Sequence, residues 1–102
     1  MMIHVLASIR VKPGKRDILI EHLKSNIPHV IKEKGCIEYD STIDVDYHID
    51  NQTYDENSVT IIEKWENFDT LKKHMQAPHM LSYREKVKDL VENISLQILT
   101  NT

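Results

Sequence analysis

The hydrophobic period of this chain switches between two and about 3.6 residues, and the order of the switches constrains its fold more than any single motif. Ile3, Val5, Ala7, Ile9 and Val11 alternate with His4, Leu6, Ser8, Arg10 and Lys12, the signature of a half-buried strand. Pro13-Gly14 ends it. From about Lys15 the apolar residues Ile18, Leu19, Leu23, Ile27, Val30 and Ile31 recur at three- and four-residue steps, which predicts an amphipathic helix. Pro28 falls inside that stripe and predicts a kink near Lys24. Because the stripe continues past it, the reading is one bent helix, stopped by Gly35 in the left-handed conformation.

The period of two returns at Ile37, Tyr39, Ser41, Ile43 and Val45, a second strand. A polar stretch from Asp46 to Asn57 follows, longer than an ordinary hairpin loop, and loops of that length often carry function. Val59, Ile61, Glu63 and Trp65 then share one side of a third strand. Asn67 is placed to cap a short helix through Met75, with Phe68, Leu71 and Met75 on its inner face. Pro78 interrupts it and opens a further helix to about Val91, carrying Met80, Tyr83, Val87, Leu90 and Val91 inward. Ile94, Leu96 and Ile98 alternate in a fourth strand. The order β-α-β-β-α-β is the split βαβ arrangement of the ferredoxin-like α+β fold, with an antiparallel four-stranded sheet. Helices cover one face of such a sheet. Leu6, Ile62 and Leu99 fall on the other, and sheet-to-sheet packing in a homodimer is the simplest cover for them.

A length of 102 residues suits one domain over 1–102. A chain of this size buries only roughly 60–68 % of its unfolded surface, so a partner subunit would add stability. The formal net charge is −3 and the 13 Lys and Arg are scattered, which gives no basis for nucleic-acid binding. No run approaches the ~20 apolar residues of a membrane helix, and the alternating N-terminus is unlike a signal peptide. The single cysteine, Cys36, leaves no internal disulfide and fits a reducing compartment. The expected location is the cytoplasm.

Gly35-Cys36-Ile37-Glu38-Tyr39 resembles the entry to the second strand in the antibiotic-biosynthesis-monooxygenase family, and Ile62-Glu63-Lys64-Trp65-Glu66 resembles its third strand. The further spacing of His74, Pro78-His79-Met80 and the position of Pro28 are similar to the YgiN-type quinol monooxygenases in particular. The likeness extends from Ile3 to Leu99; its specificity lies in the ordered set, since no single tripeptide is diagnostic. The resemblance implies a dimeric α+β barrel built from two four-stranded sheets, with an apolar pocket between sheet and helices in each subunit. It also implies oxidation of a quinol-like aromatic by O2 without metal or flavin. Because the fold hosts other activities, the site must be argued separately.

Oxygenation without a cofactor requires the substrate to supply the electrons. The protein must favour its anion and exclude water, which calls for an apolar pocket, a general base and donors for the developing oxyanion. Trp65 would form the pocket wall, its indole N–H donating to a substrate oxygen; the alternative is a core tryptophan bonded to a backbone carbonyl. Glu63 shares its side of the strand, although a charge there more often reaches solvent or an interface ion pair. His74 is the candidate base, because imidazole titrates near neutrality. His79 is a second candidate, or an anchor for the turn at Pro78. Tyr83 would donate to substrate or pack as a core tyrosine, and Arg84 would steady a quinolate or remain solvated. Polyketide-oxidising members of the family pair the strand-three Trp with an Asn four residues earlier. That place is Ile61 here, which leaves the oxyanion donor unassigned.

The six histidines show no His-x-His or His-x-x-x-His spacing and there is no thiolate cluster, so no metal ligands are assigned. Haem-degrading relatives use a strand-one Asn and a His late in the last helix. Here strand one has Ala7 and Ser8, and no His follows His79. Two other readings remain. One is an isomerase of a small phosphorylated carbonyl compound, of the autoinducer-processing type, which shares the His…Pro-His spacing but lacks the Trp. The other is a non-enzymatic protein that binds a small ligand under stress. In any of these the loop from Asp46 to Asn57, with Tyr47, His48 and Tyr54, would serve as a lid or as an arm on a partner.

Overall fold

The computed structural model describes residues 1–102. Its elements are β1 (Ile3–Val11), α1 (Arg16–Val30), β2 (Cys36–Thr42), β3 (Ser58–Trp65), α2 (Phe68–Met75), α3 (Pro78–Val87) and β4 (Val91–Thr100). The sheet order is β2-β3-β1-β4 and every neighbouring pair is antiparallel. This is the ferredoxin-like arrangement, with all three helices on one face. No helix is long and apolar enough to cross a membrane.

The alternation in β1 and β3 becomes a two-sided sheet. Ile3, Val5, Ala7, Ile9 and Val11 face the helices with Val59, Ile61, Glu63 and Trp65, and all are buried. Leu19, Leu23 and Val30 of α1, Leu71 of α2, and Met80, Tyr83 and Val87 of α3 close over them. The outer face carries the polar residues, including a Glu38–Lys64 ion pair at 3.0 Å and a Ser8–Thr60 hydroxyl contact at 3.4 Å. Leu6 sits opposite Ile62 there.

Four boundaries differ from the periodic reading. Helix α1 ends at Val30 and not at Gly35, because Lys32-Glu33-Lys34 offers no apolar side chain to bury; two tight turns, Glu33 N–H to Val30 O and Cys36 N–H to Glu33 O, replace the last helical turn. Strand β2 carries a register shift between Cys36 and Glu38. Ile37 is therefore turned out and exposed, while Cys36 packs against the core in its place. The strand stops at Thr42, opposite Thr60, so Ile43 and Val45 run on with no partner strand and are exposed. Helix α3 closes at Val87, and Val91 already belongs to β4.

At the start of α2, Asn67 and Thr70 form a capping box: the Asn67 side chain accepts from Thr70 N at 2.9 Å. The inner face of the helix is Thr70, Leu71 and His74, with Met75 partly buried beside them; of the expected stripe only Phe68 turns out to be exposed. Pro78 takes the first position of α3, where its missing N–H costs nothing. Gly35 has φ +83°, and a Cβ there would lie 2.5 Å from the Thr70 methyl carbon, so only glycine lets the turn pass this closely.

Candidate active site

A cavity of about 420 Å³ lies between the inner face of β1, β3 and β4 and the helices α2 and α3. Val5, Ala7 and Ile9 form its floor, Leu71, Met75, Met80 and Val87 its roof, and Ile94, Leu96 and Ile98 of β4 its open side. The polar groups in this apolar lining are Tyr39, Glu63, His74, Tyr83, Arg84 and Lys88. A mostly apolar concavity with a few convergent polar groups is the usual form of a small-molecule site.

The deepest of those groups form a connected chain. Glu63 and Trp65 are two residues apart on β3 and so share its inner face, where the indole N–H donates to Glu63 Oε1 at 2.9 Å. His74 projects from the inner face of α2, 3.9 Å from the same oxygen through Nε2. Its ring lies 4.6 Å from that of Trp65 and 5.4 Å, edge-on, from that of Tyr39. On its other side Nδ1 meets Glu33 Oε2 at 2.8 Å, and that oxygen also takes His79 Nε2 at 2.8 Å. A carboxylate can only accept, so it fixes both protons: on Nδ1 of His74 and on Nε2 of His79. Neutral His74 is left with its Nε2 lone pair on the Glu63 side.

Burial pushes Glu63 up to about 7, against the opposing pull of the Trp65 N–H. Burial also lowers His74, with the Glu33 hydrogen bond and charge working the other way. Both shifts work against the charged forms, and with Glu63 close to its midpoint at neutral pH the 3.9 Å approach is not a standing ion pair. Desolvation raises the Tyr39 phenol and raises Tyr83 to about 12, so both stay protonated donors. The Tyr83 hydroxyl is buried and has no hydrogen-bond partner in the protein, an arrangement that favours a ligand acceptor beside it. The Cys36 thiol is raised to about 11, by burial first and then by Glu33 and Glu63.

The expected residues distribute unevenly over this geometry. His74, Glu63, Tyr83 and Arg84 reach the cavity. Glu63 departs from the expectation of a solvent-facing or interface charge: it is 5 % exposed, because the strand register puts it inward beside the indole. Trp65 is fully buried and is absent from the cavity wall; its N–H, expected on a substrate oxygen, is occupied by Glu63. His79 lies on the far side of Glu33, lining a smaller polar cleft between α1 and α3. Arg84 is exposed at the rim and donates to the Met75 carbonyl at 2.7 Å. Ile61, at the position of the absent Asn, is apolar wall.

Two participants escaped the sequence reading. Glu33, 41 residues from His74, sits in a Lys-Glu-Lys run that reads as solvated, and nothing in its surroundings distinguishes it. Tyr39 was legible as an inward strand residue, but not as a neighbour of the imidazole.

Residues 2–86 match the model of the antibiotic biosynthesis monooxygenase family. The chain is 35 % identical over 100 residues to the protein named "Probable quinol monooxygenase YgiN" of Escherichia coli K12, covering 96 % of each chain. It is 29 % identical over 90 residues to a monooxygenase-like protein, YcnE, of Bacillus subtilis, covering 88 % of this chain and 86 % of that one. Among solved structures, a conserved protein from Methanosarcina mazei superposes with a TM-score of 0.86 at 22 % identity, covering 100 % of this chain and 94 % of its own. Rv0793 from Mycobacterium tuberculosis superposes at 0.83 and 23 %, covering 100 % and 96 %. These two likenesses establish the fold, whereas the matched family model and the 35 % identity establish descent. The chain belongs to the antibiotic biosynthesis monooxygenase family.

Proposed function

We propose that this chain is a cofactor-independent monooxygenase of a hydroquinone-like aromatic, working as a single-domain homodimer in the cytoplasm. The observation that carries the reading is His74, buried at the wall of an apolar cavity with Nδ1 committed to Glu33 and Nε2 directed toward Glu63. In this role His74 Nε2 takes the phenolic proton, and the electron-rich anion gives its electrons to O2. One oxygen atom enters the ring and the other leaves as water, the hydroquinone ending as a hydroxyquinone, so no outside reductant is needed. The protonated Glu63 carboxyl and the free Tyr83 hydroxyl donate to the substrate oxygens, and the aliphatic walls keep water from the reactive intermediate. Trp65 acts through Glu63 by holding its carboxyl. Dimerisation is supported by apolar surface left open on the inner side of β4.

Oxygen uptake by metal-free, flavin-free protein with menadiol, measured against autoxidation, tests the activity. We expect uptake well above background, a product one oxygen atom heavier than menadione, and a loss of about 10²-fold or more in His74→Ala. Menadione with hydrogen peroxide as the products would make the protein an oxidase, and background uptake would remove the reading. A second reading, an isomerase of a small phosphorylated carbonyl compound, draws support from Arg84 and Lys88 at the cavity rim, which suit a phosphate. A thermal-shift screen of such compounds addresses it.

A further inference from the structure

The two histidines on Glu33 form more than a relay. Glu33 Oε2, His74 Nδ1 and His79 Nε2 all lie within 4.8 Å of one another, each bringing a different element: the turn after α1, the inner face of α2 and the first turn of α3. Two imidazole nitrogens and one carboxylate oxygen are the donor set of open zinc-type sites, in which three protein ligands leave one position for water. We propose that this triad is a binding site for a divalent transition ion of the zinc class, and that occupancy switches the neighbouring base off.

Three features support the site beyond its donors. His74 presents its other ring nitrogen to Glu63 Oε1 at 3.9 Å, and that oxygen is held by the Trp65 N–H at 2.9 Å. The Glu63 carboxyl thus stands behind the distal nitrogen, the place where a ligating histidine of a zinc site usually finds its outer support. The ligands are also graded in access: the His79 side chain is 25 % exposed and His74 4 %, so an ion has an entry from the α3 side and a buried anchor. Finally, the N···O separations of 2.8 Å are hydrogen-bond distances. Tetrahedral ligands at about 2.0–2.2 Å from an ion lie roughly 3.3–3.6 Å from one another, so each of these contacts would open by about 0.5–0.8 Å.

Binding changes the tautomer of the base. A metal on His74 Nδ1 takes that lone pair, and the ring proton moves to Nε2, where it donates to Glu63. His79 shifts its proton to Nδ1 in the same way. No proton is gained or lost overall, but the lone pair that faced Glu63 is gone. The inhibitory half rests on the proposed base role of His74; the binding half does not.

The test is cobalt titration of chelator-treated full-length protein followed by its visible absorption, with zinc competition for affinity. We expect one equivalent per chain, with affinity at least tenfold weaker in both Glu33→Gln and His79→Ala. Glu33→Gln keeps the size and polarity of the side chain, and circular dichroism and thermal unfolding verify that each variant is folded. No ligand-field absorption, or undiminished binding in both variants, would overturn the site and assign any cobalt uptake to other surface histidines. In oxygen uptake with menadiol, one equivalent of zinc should suppress the wild-type rate at least tenfold, and His79→Ala should keep its own rate in zinc. Unchanged uptake with cobalt bound would overturn the switch. Absence of uptake in metal-free protein would sink the proposed activity instead, while stoichiometric cobalt binding would leave the site standing.

Discussion

Strand β1 has two neighbours, and its inner residues meet very different fates on either side. Ala7 is paired with Ile61 on β3 and with Leu96 on β4. Ile61 is 3 % exposed, whereas Leu96 is 53 % exposed. The same contrast holds for Val59 against Ile94 across Ile9, and for Glu63 against Ile98 across Val5. Two of the pairs are aliphatic on both sides, and in the third the carboxyl is the buried partner, so composition does not explain the difference. Coverage does: α1 packs on β2 and β3 and α2 on β3, and the helical layer gives out before β4. The cavity lies along that boundary. One half of the inner face is finished by the chain itself, and the other is left uncovered by it.

The largest expected effect falls in the finished half. Trp65→Ala removes a fully buried indole and should cost about 3–5 kcal/mol in denaturant unfolding. A loss below about 1 kcal/mol would show that this half is less tightly packed than the burial implies. Gly35→Ala should cost roughly 2 kcal/mol, through the left-handed φ and the contact with Thr70. Pairing it with Thr70→Ser deletes the methyl but leaves Cβ and the hydroxyl 2.6 and 2.8 Å from the added carbon, so the double variant should recover little of that loss. The smallest effect on chain stability belongs to the open half. Leu96→Asp should change the unfolding free energy of the isolated chain by less than about 0.5 kcal/mol, yet, if the proposed dimer forms through this face, leave a ~12 kDa monomer in sedimentation. A persistent dimer in that variant would place the subunit contact elsewhere, on the outer face around Leu6 and Ile62.

Much of the architecture could be read from period alone, because each switch of period coincided with a switch of element. The failures share a cause: periodicity reports which side a residue faces, and it is blind to whether anything lies there. Ile94, Leu96 and Ile98 alternate as buried strand residues do, and they do face inward, onto an uncovered face. Ile37 alternates with Tyr39 in sequence, but the extra residue at the bulge turns it out and brings Cys36 in. Within the site, strand spacing put Glu63 and Trp65 on one side of β3, whereas His74 stood out through the family resemblance and not through the helix stripe, which in sequence runs along Phe68, Leu71 and Met75. Glu33 was not recognisable, since a polar residue in a turn leaves no periodic trace and its partners lie 41 and 46 residues away. Spacing rules for metal ligands detect residues adjacent in sequence and are blind to a group such as Glu33, His74 and His79, which only the fold brings together.

The close seat of Thr70 against Gly35 bears on how the length of this chain can change. Gly35 follows Glu33 by two residues, and His74 follows Thr70 by one helical turn, so a methyl group resting on a glycine indexes the imidazole to its carboxylate. Inserting or deleting one residue between Asn67 and His74 would rotate the ring by about 100° around the helix axis and turn it away from Glu33. The segment from Thr70 to His74 is thus fixed in length. The stretch from Ile43 to Asn57, whose ends are joined by the Asp55 N–H bond to Asp44 and which is tied to β1 by the Arg10–Asp55 pair, has no such index. Length variation among relatives should collect there, with the five-residue span of α2 held constant.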